Sequence, residues 1–171
     1  KDFLIGGAAR HETYSDFGDN FSWKINTRYK LLNDKLTFRA SYSTGFRAPS
    51  LHQKYMSNVQ TLVSGGTISN QGTFNNESAV VRSLGVDKLS PEKSENFTAG
   101  LTYNPINNFN LAIDYYNIKV DNRIVYSSSI SSSDVTTAVG KVLKANNITS
   151  LKFFTNAVNT QTEGVDVVAS Y

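Results

Sequence analysis

The chain has 171 residues, the length of one domain, with a net charge of +3 from scattered Lys and Arg and a slightly negative mean hydropathy. Cysteine is absent, which excludes a disulfide framework and a thiolate metal site. The dispersed charge lacks the basic stripe that tracks nucleic acid, and no stretch approaches the roughly 18 continuous apolar residues of a transmembrane helix.

Ten Phe, nine Tyr and one Trp stand beside many Asn, Ser and Thr, which suits strands with one greasy face and one polar face. Hydropathy averaging misses such strands, because their lipid-facing and lumen-facing side chains alternate.

In chain order, the opening segment at about 2–13 is a strand whose pattern Leu4 breaks, with Arg10 and Glu12 on one face. Around 22–31, Trp23, Ile25, Thr27, Tyr29 and Leu31 oppose Ser22, Lys24, Asn26, Arg28 and Lys30. In 36–43, Leu36, Phe38, Ala40 and Tyr42 oppose Thr37, Arg39, Ser41 and Ser43. A long connection rich in Gly, Ser, Asn and Gln covers about 46–94. In 96–103, Phe97, Ala99, Leu101 and Tyr103 oppose Asn96, Thr98, Gly100 and Thr102; in 109–116, Phe109, Leu111, Ile113 and Tyr115 oppose Asn110, Ala112, Asp114 and Tyr116.

A second long connection covers about 127–157 and holds a predicted helix. Ser132 or Ser133 can cap it, Val135, Ala138, Val139, Val142 and Leu143 recur at helical spacing, and it ends near Asn146-Asn147. That stripe is expected to pack onto the loop or rim rather than to hold a ligand. In the last strand Val165, Val167, Ala169 and Tyr171 oppose Gly164, Asp166, Val168 and Ser170.

The pattern is an all-β, antiparallel up-and-down meander of about six strands, with one short helix in a surface loop. The strands are mostly about ten residues long, and a tilted strand needs roughly 9–11 to cross hydrocarbon. Leu32-Asn33-Asp34-Lys35 and Asn104-Pro105-Ile106-Asn107-Asn108 make tight turns. In a meander alternate connections lie at opposite ends, so the long ones fall on one side, as in outer-membrane barrels. Phe3-Leu4-Ile5 reads as mid-strand and Tyr171 falls within another strand, so both ends are expected to be cuts in a longer protein.

No constellation for catalysis emerges. His11 and His52 lie near strand ends without converging ligands, and no catalytic, cofactor or metal site is expected. Asp114 and Asp166 stand on different strands and balance Lys24, Arg28 and Arg39 better than they form an acid/base pair. No G-x-S-x-G elbow occurs, and Gly65-Gly66 lacks the Lys of a phosphate cradle. The Asn76 and Asn147 sequons are given no weight.

The run Ser43-Thr44-Gly45-Phe46-Arg47-Ala48-Pro49-Ser50-Leu51 resembles the S-x-G-F-R-A-P-S-L segment of TonB-dependent receptors. The segments 10–18 (R-x-E-x-Y-S-D-F-G) and 89–96 (L-x-P-E-x-S-x-N) are similar to other segments of that family, as are 114–118 and 164–166, in order along nearly the whole chain. Gly45 and Pro49 bend the chain out of the strand. Arg47 between them is expected to turn inward and pair with Glu92 or Glu95.

The resemblance implies that residues 1–171 are part of a transmembrane β-barrel domain of about twenty-two strands, without its plug. Long surface loops at about 46–94 and 127–157 would help to capture a small-molecule ligand of the siderophore, haem, cobalamin or glycan class. The TonB complex, acting through the plug, would supply the energy. Lys24, Arg28, Arg39, Asp114 and Asp166 would face the lumen and plug; Trp23, Phe38, Tyr42, Phe97, Tyr103 and Tyr115 would face the lipid of a Gram-negative outer membrane. Catalysis and nucleic-acid binding are not expected. Rival readings are a soluble β-sandwich or adhesin-like binding module and a non-TonB porin or a barrel completed by oligomerisation. An isolated six-stranded piece is expected to associate through its open edges or its lipid face.

Overall fold

The computed structural model describes residues 2–133 and 136–171. Along the chain run β1 (Phe3–Tyr14), β2 (Gly18–Leu31), β3 (Leu36–Arg47), α1 (Leu51–Tyr55), β4 (Asn58–Ser64), β5 (Thr67–Thr73), α2 (Ala79–Ser83), β6 (Glu92–Tyr103), β7 (Asn110–Tyr126), β8 (Ile130–Ser131), α3 (Ala138–Ala145), β9 (Ile148–Lys152) and β10 (Phe154–Ser170). The six strands expected from alternation are β1, β2, β3, β6, β7 and β10, and they form one sheet in that order.

They are longer than the alternation indicated, reaching 17 residues in β7 and β10. The extra length lies mainly at the end opposite the tight turns; there both faces of β6 and β10 are largely polar, while in β7 the apolar side chains Ile118 and Val120 stand on the face of Asp114. Strands β1 and β2 pair up to Tyr14 and Gly18, so they are joined by a short turn on the side that carries the long connections. The tight turns are where the sequence puts them. Leu32, Asn33 and Asp34 all take positive φ and Lys35 N–H closes onto the Leu32 carbonyl at 3.2 Å, while Asn108 has φ +68° in the other turn. Asn and Asp tolerate this region better than most residues.

The chain divides into two compact units, Lys1–Arg47 with Glu92–Asp121 and Asn159–Tyr171, and Ala48–Pro91 with Asn122–Val158. The first holds most of the six-stranded sheet. Its side chains follow the pleat, since residues directly opposite in an antiparallel pair share a face.

The second unit is formed by the two long connections together. Its sheet has the order β4-β5-β9-β8, with β5 and β9 parallel. Gly65 and Gly66, both at positive φ, make the tight β4–β5 hairpin. Val81 on α2, Leu143 on α3, and Ile148, Leu151 and Phe153 on or beside β9 form a core against which Phe74, Val80 and Val139 pack. Two buried or bridging amides tie its segments: Asn76 donates to the carbonyls of Asp87 (3.2 Å) and Phe154 (2.9 Å), and Asn156 donates to those of Ser90 and Asn122.

The predicted helix is α3, and its stripe packs inward through Leu143 and Val139. Its cap is Thr137, whose hydroxyl accepts the Gly140 N–H at 3.0 Å, so it begins later than a Ser132 or Ser133 cap requires. Val135 lies outside the described residues. Asn146 is the C-cap and Asn147 follows at φ +55°.

Leu143→Ala or Leu151→Ala should destabilise this unit by about 2–5 kcal/mol, the usual cost of truncating a fully buried Leu. Hydrogen exchange should report it as faster exchange across α2, α3 and β9, with little change in β1–β3.

Candidate functional site

The strand register separates two chemistries on the six-stranded sheet. One row runs Phe3, Tyr29, Phe38, Leu101 and Ile113 across five strands; the next runs Ile5, Thr27, Ala40, Ala99 and Tyr115; a third includes Ile25, Tyr42 and Phe97. The rings of Trp23 and Tyr42 pack at a tilt (centroids 5.3 Å), as do those of Phe97 and Tyr115 (6.2 Å). Tyr103, opposite Leu36 and Leu111, closes the row at the tight-turn end. All six aromatics expected to share a face do so. The same face turns charged at the far end, where Glu95 opposes Lys119 and Lys93 opposes Asp121.

Among the described residues, every buried hydrophobic side chain lies in the second unit. The apolar face of the first unit is instead open: Phe3, Ile5, Phe21 and Val165 are each 57–63% exposed. A water-soluble fold buries such a face.

The opposite face is polar. Lys24, Arg28, Arg39 and Asp114 lie on it, and Asp166 shares it through Gly164, two residues earlier, which sits under Tyr116. Ser41 and Thr98 hydroxyls meet across β3 and β6 at 2.8 Å.

Arg39 reaches past β6 to Asp114 on β7, donating from Nε at 2.9 Å and Nη2 at 2.5 Å, with a further bond from Nη1 to Thr102 at 3.1 Å. The reach is possible because the intervening residue in that row is Gly100. A Cβ there would lie 1.9 Å from Asp114 Oδ1. Sequence reasoning placed the acid and the base on one face without pairing them. The missed signal was the strand-interior glycine, which commonly marks a close approach. Gly164 works similarly, since its Cβ would fall 2.6 Å from the Tyr116 hydroxyl.

At the end of β3, Arg47 makes the expected ion pair, and the partner is Glu92, directly opposite it on β6. The fork is bidentate, at 2.8 and 2.5 Å. Glu92 is nearly buried while Arg47 stays half exposed. The rest of the motif ends the strand and starts the loop. Gly45 abuts Ser94 Oγ, Phe46 meets the Tyr14 ring edge-on, and Ala48-Pro49 lead to Ser50, which caps α1 in a reciprocal box with Gln53.

No helix among the described residues is long and apolar enough to cross a membrane, a fact that leaves strands untouched. No group of three or more potential metal ligands occurs among them either.

An antiparallel meander with one open apolar face, one polar face and tight turns at one end is the wall of a transmembrane β-barrel. The family described as TonB dependent receptor-like, beta-barrel, matches residues 1–171, and the chain belongs to it. Receptors of this family are transporters of the Gram-negative outer membrane, with a plug domain and a TonB interaction.

Solved structures share the fold at low identity. The siderophore receptor PirA from Pseudomonas aeruginosa is 19% identical with a TM-score of 0.64, over 97% of this chain and 28% of that one. A mutant of the ferric enterobactin receptor PfeA from the same organism is 17% identical with a TM-score of 0.65, over 98% and 22%. The Serratia marcescens hemophore receptor HasR, solved with its hemophore and haem, is 13% identical with a TM-score of 0.55, over 98% and 27%. The chain thus spans about a quarter of the length of these receptors.

Gly100→Ala should displace Asp114 and break its fork with Arg39. Losing this partly exposed, charge-assisted pair should cost about 1–3 kcal/mol, read as a lower unfolding temperature of the detergent-solubilised receptor. Asp114→Ala should cost a similar amount, and the double variant little more than either alone.

Proposed function

We propose that this chain is a section of the wall and ligand mouth of an energy-coupled outer-membrane importer. The observation that carries the reading is the apolar face, continuous through the register of five strands and left open by the described residues. Residues 36 to 44 extend about 27 Å along β3 at ~3.4 Å per residue. Tilted by ~40°, that length spans about 21 Å, close to the ~25 Å apolar band of outer-membrane barrels. Glu95, Lys93, Lys119 and Asp121 then begin where headgroups would.

In this reading Phe38, Leu101 and Ile113 lie against lipid tails, with Trp23, Tyr42, Phe97, Tyr103 and Tyr115 against lipid nearer the interfaces. Lys24, Arg28, Arg39, Asp114 and Asp166 face the wet interior. Arg28 stands directly opposite Arg39, and two like charges in that position repel unless acids compensate them. Asp114 answers Arg39. The plug domain is the natural source of acids for Arg28 and Lys24.

β1 and β10 are the edges of the sheet, and lipid tolerates no unpaired edge. The remaining barrel strands are therefore partners, as are outer-membrane lipid and, through the plug, the TonB complex. The folded long connections form part of the surface mouth, and the cargo is a small molecule of the siderophore, haem, cobalamin or glycan class. A β-sandwich would need a second sheet over the apolar face. The chain acts in transport, not catalysis.

A charge placed on each face of the full-length receptor tests this. Phe38→Arg should cost about 2–4 kcal/mol in the bilayer and sharply reduce folded receptor in the outer membrane. Ser41→Arg, on the other face, should fold at near wild-type yield and keep import that depends on inner-membrane energy. Equal tolerance of both would overturn the assignment of faces.

A further inference from the structure

The sheet of the second unit has a dry side and a wet side. Leu151 and Ile130, paired across β9 and β8, belong to the core. On the other side the register sets Gln60, Gln71 and Ser150 in one row across β4, β5 and β9, and Asn58, Thr73 and Lys152 in the next. With Tyr126 beside them they line a cleft of about 380 Å³, within the usual size of small-molecule sites.

Thr73 is already engaged, sharing a hydrogen bond with the Tyr126 hydroxyl. The carboxamides of Asn58, Gln60 and Gln71 make no side-chain hydrogen bond among the described residues. Each offers two donors and an acceptor. Among the described residues no carboxylate lines the cleft, and Lys152, the one cation among them, lies over the Tyr126 ring with Nζ 5.8 Å from the centroid.

Unspent amides side by side suit groups that need a donor and an acceptor together, such as hydroxyls and amide-type oxygens. They suit a multiply charged anion poorly, because one ammonium cannot replace the water such an ion gives up. We propose that this cleft binds an uncharged, oxygen-rich small molecule, a saccharide or a neutral ferric hydroxamate. The assignment rests on the importer reading above and narrows its cargo away from polyanionic chelates and haem.

The test is calorimetric titration of the full-length receptor with four probes: malto-oligosaccharides and ferrichrome as neutral oxygen-rich ligands, and ferric enterobactin and haem as anions. Saturable binding of a neutral probe is expected, and which of the two binds identifies the source. The double variant Gln60→Ala/Gln71→Ala, on an exposed strand face, should weaken that binding by about tenfold, as expected for the loss of one or two net hydrogen bonds. Binding of the anions alone, of no probe, or of a neutral probe unaffected by the double variant overturns the proposal. The importer reading fails separately, if cellular uptake through the receptor is indifferent to inner-membrane energy.

Discussion

Five strands held in register without a slip keep Phe3, Tyr29, Phe38, Leu101 and Ile113 in a single row, and the rest of the sheet depends on that registration. A shift of one residue in β3 would carry Phe38 to the polar side and Arg39 to the apolar side. Two features pin it. The turn at 32–34 takes three successive positive φ angles, so its length is set by Asn and Asp chemistry rather than by packing. The Arg39–Gly100–Asp114 row fits only when the glycine lies between the charges. Hydrophobic burial does little to set this register within the first unit, where Phe3, Ile5, Phe21 and Val165 of the apolar side stay exposed.

The second unit obeys the opposite logic. Val81, Leu143 and Leu151 are wholly buried there, and the strands and helices that supply them come from two stretches separated by β6 and most of β7. Neither connection carries that core alone, so each depends on the other for its fold. Asn76 and Asn156 hold the backbone ends together through carbonyls from distant segments. A unit built this way presents a pre-formed surface.

Much of the barrel wall was legible in the sequence, because a two-residue period survives wherever one face is apolar and the other polar. Hence the six strands and both tight turns were read correctly, the six named aromatics do share one face of the sheet, and Arg47 found one of its two expected acids. The period fades where both faces are polar. The first residues of β6 and β10 therefore fell within the expected long connections, and the β1–β2 turn looked longer than it is. The second unit was illegible for another reason. Its strands are short, β5 and β9 pair in parallel across a wide sequence separation, and its core is a tertiary property. Only the α3 stripe was local enough to see. The Arg39–Asp114 pair could have been found from Gly100, had a strand glycine been treated as a window between neighbours.

The proposed function rests on the apolar face meeting lipid. The most direct measurement is spin-label accessibility along β3 of the full-length receptor in bilayers, with nitroxides placed singly at positions 37 to 42. Collision with oxygen should peak at 38, 40 and 42, and collision with a water-soluble nickel complex at 37, 39 and 41. A profile with no two-residue period, or one in the opposite phase, would contradict the account.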